Sequence, residues 1–219
     1  MTRFTWRDLP LKSLALAAVV IAAAAPATAF LLEYERSAIL RGEAWRIATA
    51  HFAHYGPDHL LWNVLPLIGI GVLFEGALGR RFLPVFAASC LAVGGGLLLL
   101  DPGLPAYRGL SGALNGLWVA GALFAARDER RAGHASLAWI YRGCVVLDLG
   151  KIAFEAATGT PIFTDPARIG ADPVALSHLL GAGAGLCAAL PALTSARRRA
   201  RSVPSPGTHE PGRSPCRSA

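Results

Sequence analysis

Charged side chains are scarce in this chain. Only 16% of its 219 residues are Asp, Glu, Lys or Arg, where a soluble domain carries roughly 25%, so there is too little polar surface to solvate a globule. C-x-x-C is also missing. Of the four cysteines, Cys90, Cys144 and Cys187 fall in apolar runs and Cys216 in a polar tail, which suggests neither a disulfide framework nor a zinc knuckle. No H-E-x-x-H is present, which removes the helical metalloprotease signature, and His51, His54 and His59 are too scattered to replace it. No internal repeat is visible, and the main polar cluster lies at the outer ends of the apolar runs; both observations argue against a small transporter. No cofactor and no metal are expected.

What is abundant is apolar sequence. Hydrophobic residues make up 53% of the chain, and mean hydropathy is +0.44. Six spans of about 20 residues each account for most of this length. The first, Leu14 to Leu32, follows Arg3, Arg7 and Lys12. It has the look of a signal peptide ending at Ala27-Thr28-Ala29, but it runs on through Phe30-Leu31-Leu32 and is read as an uncleaved anchor. A polar and aromatic outer loop, 33–58, precedes spans at His59–Leu78, Phe82–Leu100, Leu110–Ala126, Ser136–Thr158 and Val174–Leu193. The expected fold is an all-α membrane protein, a six-transmembrane-helix bundle over 1–193, with a disordered basic cytoplasmic tail at 194–219.

A sequence pI of 9.8 invites a nucleic-acid reading, but the basic residues sit between apolar stretches and form no amphipathic face. They report topology instead. With the N-terminus inside, the inner segments carry fourteen of the 21 Lys and Arg residues and the outer loops five, Arg142 and Lys151 lying within the fifth span. The positive-inside rule then places both termini in the cytoplasm, and the chain in an inner membrane as a multi-pass protein.

In that topology the even-numbered spans all start at the outer face. The second opens with His59 and Asn63, the fourth with Gly109-Leu110-Ser111-Gly112, and the sixth carries His178 one turn in. Polar groups inside a bilayer are costly and usually functional or paired, and three spans place them at one depth. Ser111 suits a nucleophile if a base takes its proton, and His178 is the only histidine of the last two spans. With no carboxylate near His178 in sequence, a Ser/His dyad is expected in place of a triad. Helix-start amides, including that of Ser111, supply oxyanion donors, and His59 and Asn63, at i and i+4, share a face that could add side-chain donors. Gly112 and Gly116 form one small-residue stripe, Gly181 and Gly185 another; packed together they would bring His178 toward Ser111.

At these residues the chain resembles the rhomboid intramembrane serine proteases, and within them the bacterial rhombosortases. The likeness rests on Trp45-Arg46, on His54, His59 and Asn63 in H-x-x-x-x-H-x-x-x-N, on Glu75-Gly76, on Gly109, Ser111 and Gly112 in G-x-S-G, and on His178, Gly181 and Gly185 in H-x-x-G-x-x-x-G. The narrower likeness rests on the minimal six-span length, Tyr107-Arg108-Gly109-Leu110-Ser111-Gly112, and Gly150-Lys151 with Glu155. The resemblance implies Ser111 as nucleophile, His178 as base, and His59, Asn63 and the Ser111 amide around the oxyanion. It implies as partners the lipid bilayer and exported transmembrane substrates with a C-terminal Gly-Gly-type sorting helix, cleaved on the periplasmic side, and no nucleic acid. A non-catalytic rhomboid-like protein that binds membrane helices for quality control is the alternative. Asn115 stands where many rhombosortases resemble one another in carrying His, and Ser177 where Ala is commoner. Trp45 and Arg46 are expected to anchor the outer loop at the headgroups, and Glu75 to bond a neighbouring helix or loop. Asp148, Lys151 and Glu155, at i, i+3 and i+7, are expected to neutralise one another and to shape an entry gate between the fifth and second spans.

Overall fold

The computed structural model describes residues 9–163, 165–169, 171 and 174–201, with side chains as far as residue 191. Arg3, Arg7, Cys216 and most of the expected tail (202–219) lie outside the described residues. Among the described residues ten α-helices follow in chain order: α1 (Leu11–Ala22), α2 (Pro26–Leu32), α3 (Arg36–Leu40), α4 (Arg46–Thr49), α5 (Pro57–Leu78), α6 (Phe82–Leu100), α7 (Ser111–Arg131), α8 (Ala135–Thr158), α9 (Pro166–Ile169) and α10 (Ala175–Arg201). Two short strands, β1 (Tyr34–Glu35) and β2 (Ala106–Tyr107), pair antiparallel.

The long helices coincide with the second to sixth apolar runs. Two of them overrun the expected limits, because α7 continues through Arg127–Arg131 and α10 through Arg201; Arg, Glu and Ala propagate a helix well even where they cannot be buried. The first run is corrected. It is not one helix but α1 and α2, bent by 105°. Pro26 is the cause: its ring forbids the i−4 hydrogen bond, and it pushes Ala25 into an extended conformation (φ −59°, ψ 135°) before starting α2 at its favoured first position. By length and composition the Pro57–Leu100 run can cross a membrane, as can α1 and α2 taken together.

Helix α7 is the centre of the bundle, packed by α5, α6, α8 and α10. It is buried on every side from Gly112 to Ala126, apart from partial exposure at Trp118 and Leu123, as a helix with no solvent or lipid face must be. The outer helices turn apolar side chains outward instead, among them Leu65, Val72, Leu91, Leu99, Leu147 and Leu179. So many large apolar side chains turned outward suit a lipid surface better than water.

Two close approaches hold this arrangement. A Cβ at Gly181 would collide with the Gly112 carbonyl, and one at Gly185 with the Gly116 carbonyl, so α7 and α10 touch backbone to backbone. At the other end of the bundle Glu75 of α5 reaches the start of α1. Its carboxylate accepts from the Lys12 and Ser13 amides and the Ser13 hydroxyl, each at 2.9 Å, and from Lys12 Nζ at 3.2 Å. First-turn amides have no partner within their own helix, so this carboxylate serves as a remote cap of matching charge.

Replacing Gly181 with Ala should lower stability by about 1–3 kcal/mol, the usual cost of overpacking. Gly183→Ala, where a Cβ meets nothing within 4 Å, should be neutral or mildly stabilising. Thermal unfolding of both variants in micelles checks the contrast.

Candidate active site

The candidate residues stand at one end of α5, α7 and α10. Ser111 opens α7, and its Oγ lies 3.0 Å from His178 Nε2 on α10. Ser111 is partly exposed and His178 nearly buried, so the hydroxyl is reachable while the imidazole is held. The glycine contacts set this distance: Gly112 also lies under the Ser177 carbonyl, where a Cβ would come within 2.8 Å.

His59 and Asn63 sit on the first turns of α5. The Tyr55 amide donates to His59 Nδ1 at 3.4 Å, so the other ring nitrogen, Nε2, carries the proton. That nitrogen faces Gly109, where a Cβ would approach it to 2.9 Å. The Tyr55 ring stacks on His59 with centroids 5.6 Å apart. Asn63 Nδ2 donates to the His59 carbonyl at 2.7 Å, and its buried Oδ1 has no partner. The Ser111 amide belongs to the first turn of α7, whose N–H groups have no intrahelical acceptor.

The segment 33–58 grips the chain before Ser111. Gly109 has φ +128°, a conformation that L side chains rarely adopt. Its amide donates to the Ala50 carbonyl at 3.2 Å, and its carbonyl receives the Tyr107 hydroxyl at 3.0 Å and lies 3.2 Å from His51 Nδ1. His51 is fully buried, with its second ring nitrogen 2.9 Å from the Cys90 carbonyl of α6. Burial pushes the Tyr107 phenol up to about 12, so it remains a donor. Arg108 pairs with Glu33 at 2.7 Å and lies over the rings of Phe30 and Tyr55. The Tyr34–Tyr107 pairing of β1 and β2 joins the same two segments.

Arg46 corrects the expected headgroup anchor. It is buried and turns inward, donating to the Phe30 and Glu33 carbonyls at 2.9 and 3.0 Å and pairing with Glu43 at 2.7 Å, while Trp45 is exposed. Asn115 donates to the Ser111 carbonyl at 2.8 Å, and Ser177 is buried. The α8 residues differ from expectation most. Lys151 and Glu155 do pair, at 2.9 Å, but Asp148 Oδ2 is buried without a partner. Glu155 turns toward α10, not toward α5, and its Oε2 lies 2.9 Å from His178 Nδ1. The absence of a nearby carboxylate is therefore true only along the chain. The sequence reading singled out Glu155, with Lys151 and in the rhombosortase-like pattern, but did not link it to His178, from which 23 positions and a loop separate it. Among the described residues no three His, Cys, Asp or Glu side chains gather as a metal site would require.

Residues 41–195 match the Rhomboid domain family model. A protein of Bacillus subtilis (strain 168), named "Putative rhomboid protease YdcA", is 35% identical over 81 residues. That stretch is 36% of this chain and spans 41% of the relative's length.

Burial lowers His54 to about 4 from its usual 6.5, outweighing the Phe52 carbonyl bonded to its Nδ1. Between those values acid protonates the unfolded chain but not the folded one, so stability falls as pH drops from 6.5 to about 4 and levels below. His54→Gln should make that fall shallower by up to about 3 kcal/mol, read by denaturation across pH 4–7.

Proposed function

From the premise that the chain belongs to the rhomboid family, we propose that it is an intramembrane serine endopeptidase that cuts the C-terminal Gly-Gly-type sorting segment of exported proteins. Family membership makes it an integral membrane protein. On this reading it has six spans in the bacterial inner membrane, both termini in the cytoplasm, and the Ser111 end of the bundle toward the periplasm; the asymmetry of Lys and Arg between alternate segments supports that orientation.

The observation that carries the chemistry is the 3.0 Å approach of Ser111 Oγ to His178 Nε2. At that distance the imidazole accepts the hydroxyl proton as Oγ attacks the scissile carbonyl. The resulting oxyanion meets the Ser111 amide, with His59 Nε2 and Asn63 Nδ2 as its side-chain donors. His178 returns the proton to the departing amine, leaving an acyl-enzyme on Ser111. Water then releases the product; an acceptor amine in its place gives transpeptidation. A helix that is glycine-rich near its outer end costs least to unwind into the site, because glycine is about 1 kcal/mol poorer than alanine in a helix. Tyr107-Arg108-Gly109 before Ser111, and Lys151 with Glu155 on α8, support the rhombosortase-type substrate.

Ser111→Ala and His178→Ala should each reduce cleavage of a tagged substrate ending in a Gly-Gly stretch, an apolar helix and Arg residues by at least about a thousandfold. Cleavage that persists in both variants leaves the helix-binding, non-catalytic reading. Equal cleavage of a substrate without the glycines rejects the sorting-segment specificity while sparing the protease.

A further inference from the structure

We infer that Glu155 is a positioning residue for His178, so that the catalytic group is a Ser111–His178–Glu155 relay of hydrogen bonds with Lys151 as the counter-ion of its carboxylate. The inference deepens the proposed function and rests on its reading of Ser111 as nucleophile and His178 as base.

The argument starts from what each atom can do. An ionised carboxylate only accepts hydrogen bonds. Glu155 Oε2, 2.9 Å from His178 Nδ1, therefore requires the proton of a neutral imidazole to sit on Nδ1. Nε2 is then left with its lone pair directed at Ser111 Oγ, 3.0 Å away. That is the one neutral tautomer able to take the hydroxyl proton, and a fixed partner on the second ring nitrogen is how a histidine tautomer is selected. When Nε2 becomes protonated, the carboxylate on the far side of the ring faces the new positive charge.

The carboxylate is itself held. Oε2 also accepts from Lys151 Nζ at 2.9 Å, and Oε1 accepts from the Ile162 amide at 3.2 Å. Donors on both oxygens stop it from rotating away from the imidazole. Glu155 is only 4% exposed, and an unpaired charge there would be costly, whereas a paired and hydrogen-bonded one is tolerated. A simple ion pair in α8 needs only Lys151. It does not explain why the same oxygen also meets His178, which comes from a different helix.

Glutamine cannot reproduce this. With its oxygen toward His178, its NH2 group faces the Ile162 N–H; reversed, it donates to Nδ1 and selects the wrong tautomer. Glu155→Gln should reduce kcat at least about 100-fold, with KM changed by no more than about threefold. The paired variant Lys151→Met/Glu155→Gln removes the lysine that the single change would strand. If Glu155 matters only as half of an ion pair, the double variant regains wild-type kcat, and the inference is overturned. If it positions His178, the double variant unfolds near the wild-type temperature while its kcat stays at least about 100-fold low. A measurement on the unaltered protein does not depend on any variant folding. In ¹⁵N NMR of the full chain in micelles, the His178 signals, assigned by their loss in His178→Ala, should show a protonated Nδ1; a protonated Nε2 overturns the inference. Labelling by a fluorophosphonate probe separates the two levels. A wild-type Ser111 that does not react sinks the proposed function, whereas a Glu155→Gln protein that reacts at the wild-type rate sinks only the role of Glu155.

Discussion

The contact between the backbones of α7 and α10 is the constraint on which the site depends. Lipid tails are as apolar as leucine, so burying apolar surface does little to draw helices together within a bilayer, and close packing has to do it. Here Gly181 lies on the Gly112 carbonyl and Gly185 on the Gly116 carbonyl, with Ser89 of α6 filling the space beside Gly116. Bulkier residues at these points would push the axes apart toward the ordinary 8–10 Å or beyond. A hydrogen bond from Ser111 to His178 tolerates only a few tenths of an ångström, so the distance between two side chains is decided by four positions that have none.

Three carboxylates of this molecule share one role. Glu75 neutralises and caps the start of α1, Glu33 pairs with Arg108 behind β2, and Glu155 pairs with Lys151 beside His178. Each of the three carboxylates joins segments or groups that the apolar core cannot hold in register, since hydrophobic contacts carry no direction. Removing one partner of such a pair typically costs about 3–5 kcal/mol, far more than the pair itself contributes. These charges are therefore better understood as fixing geometry than as sources of net stability.

This division explains what could be read from the sequence. Helix placement was legible because apolar runs and their charged boundaries are one-dimensional signals, and α5, α6 and α8 begin and end close to where those signals change. The approach of α7 to α10 was legible for a related reason, since Gly112/Gly116 and Gly181/Gly185 write a surface into a spacing of four. The bend at Pro26 was available in principle but was masked by the apolar character on both sides of it. The inward turn of Arg46, the grip of His51 and Tyr107 on Gly109, and the meeting of Glu155 with His178 were not legible. Apart from the local Tyr107–Gly109 bond, each joins residues well separated in the chain through a single hydrogen-bonding atom, and one atom leaves no periodicity behind.

Packing and polar contacts then act on different coordinates of the same site. The glycine stripes set how far apart Ser111 and His178 stand, but a stripe does not determine which way a ring faces or where a loop peptide points. The Gly109 peptide is oriented by Ala50 on its amide and by Tyr107 on its carbonyl, with His51 alongside. Because φ at Gly109 is +128°, the peptide entering α7 has a direction that an ordinary residue would resist, and the loop contacts offset that preference. Gly109, at the entrance to α7, consequently lies against His59 Nε2. Distance comes from close-packed backbone, direction from hydrogen bonds, and loss of either would leave a hydroxyl and an imidazole that are neighbours without being aligned.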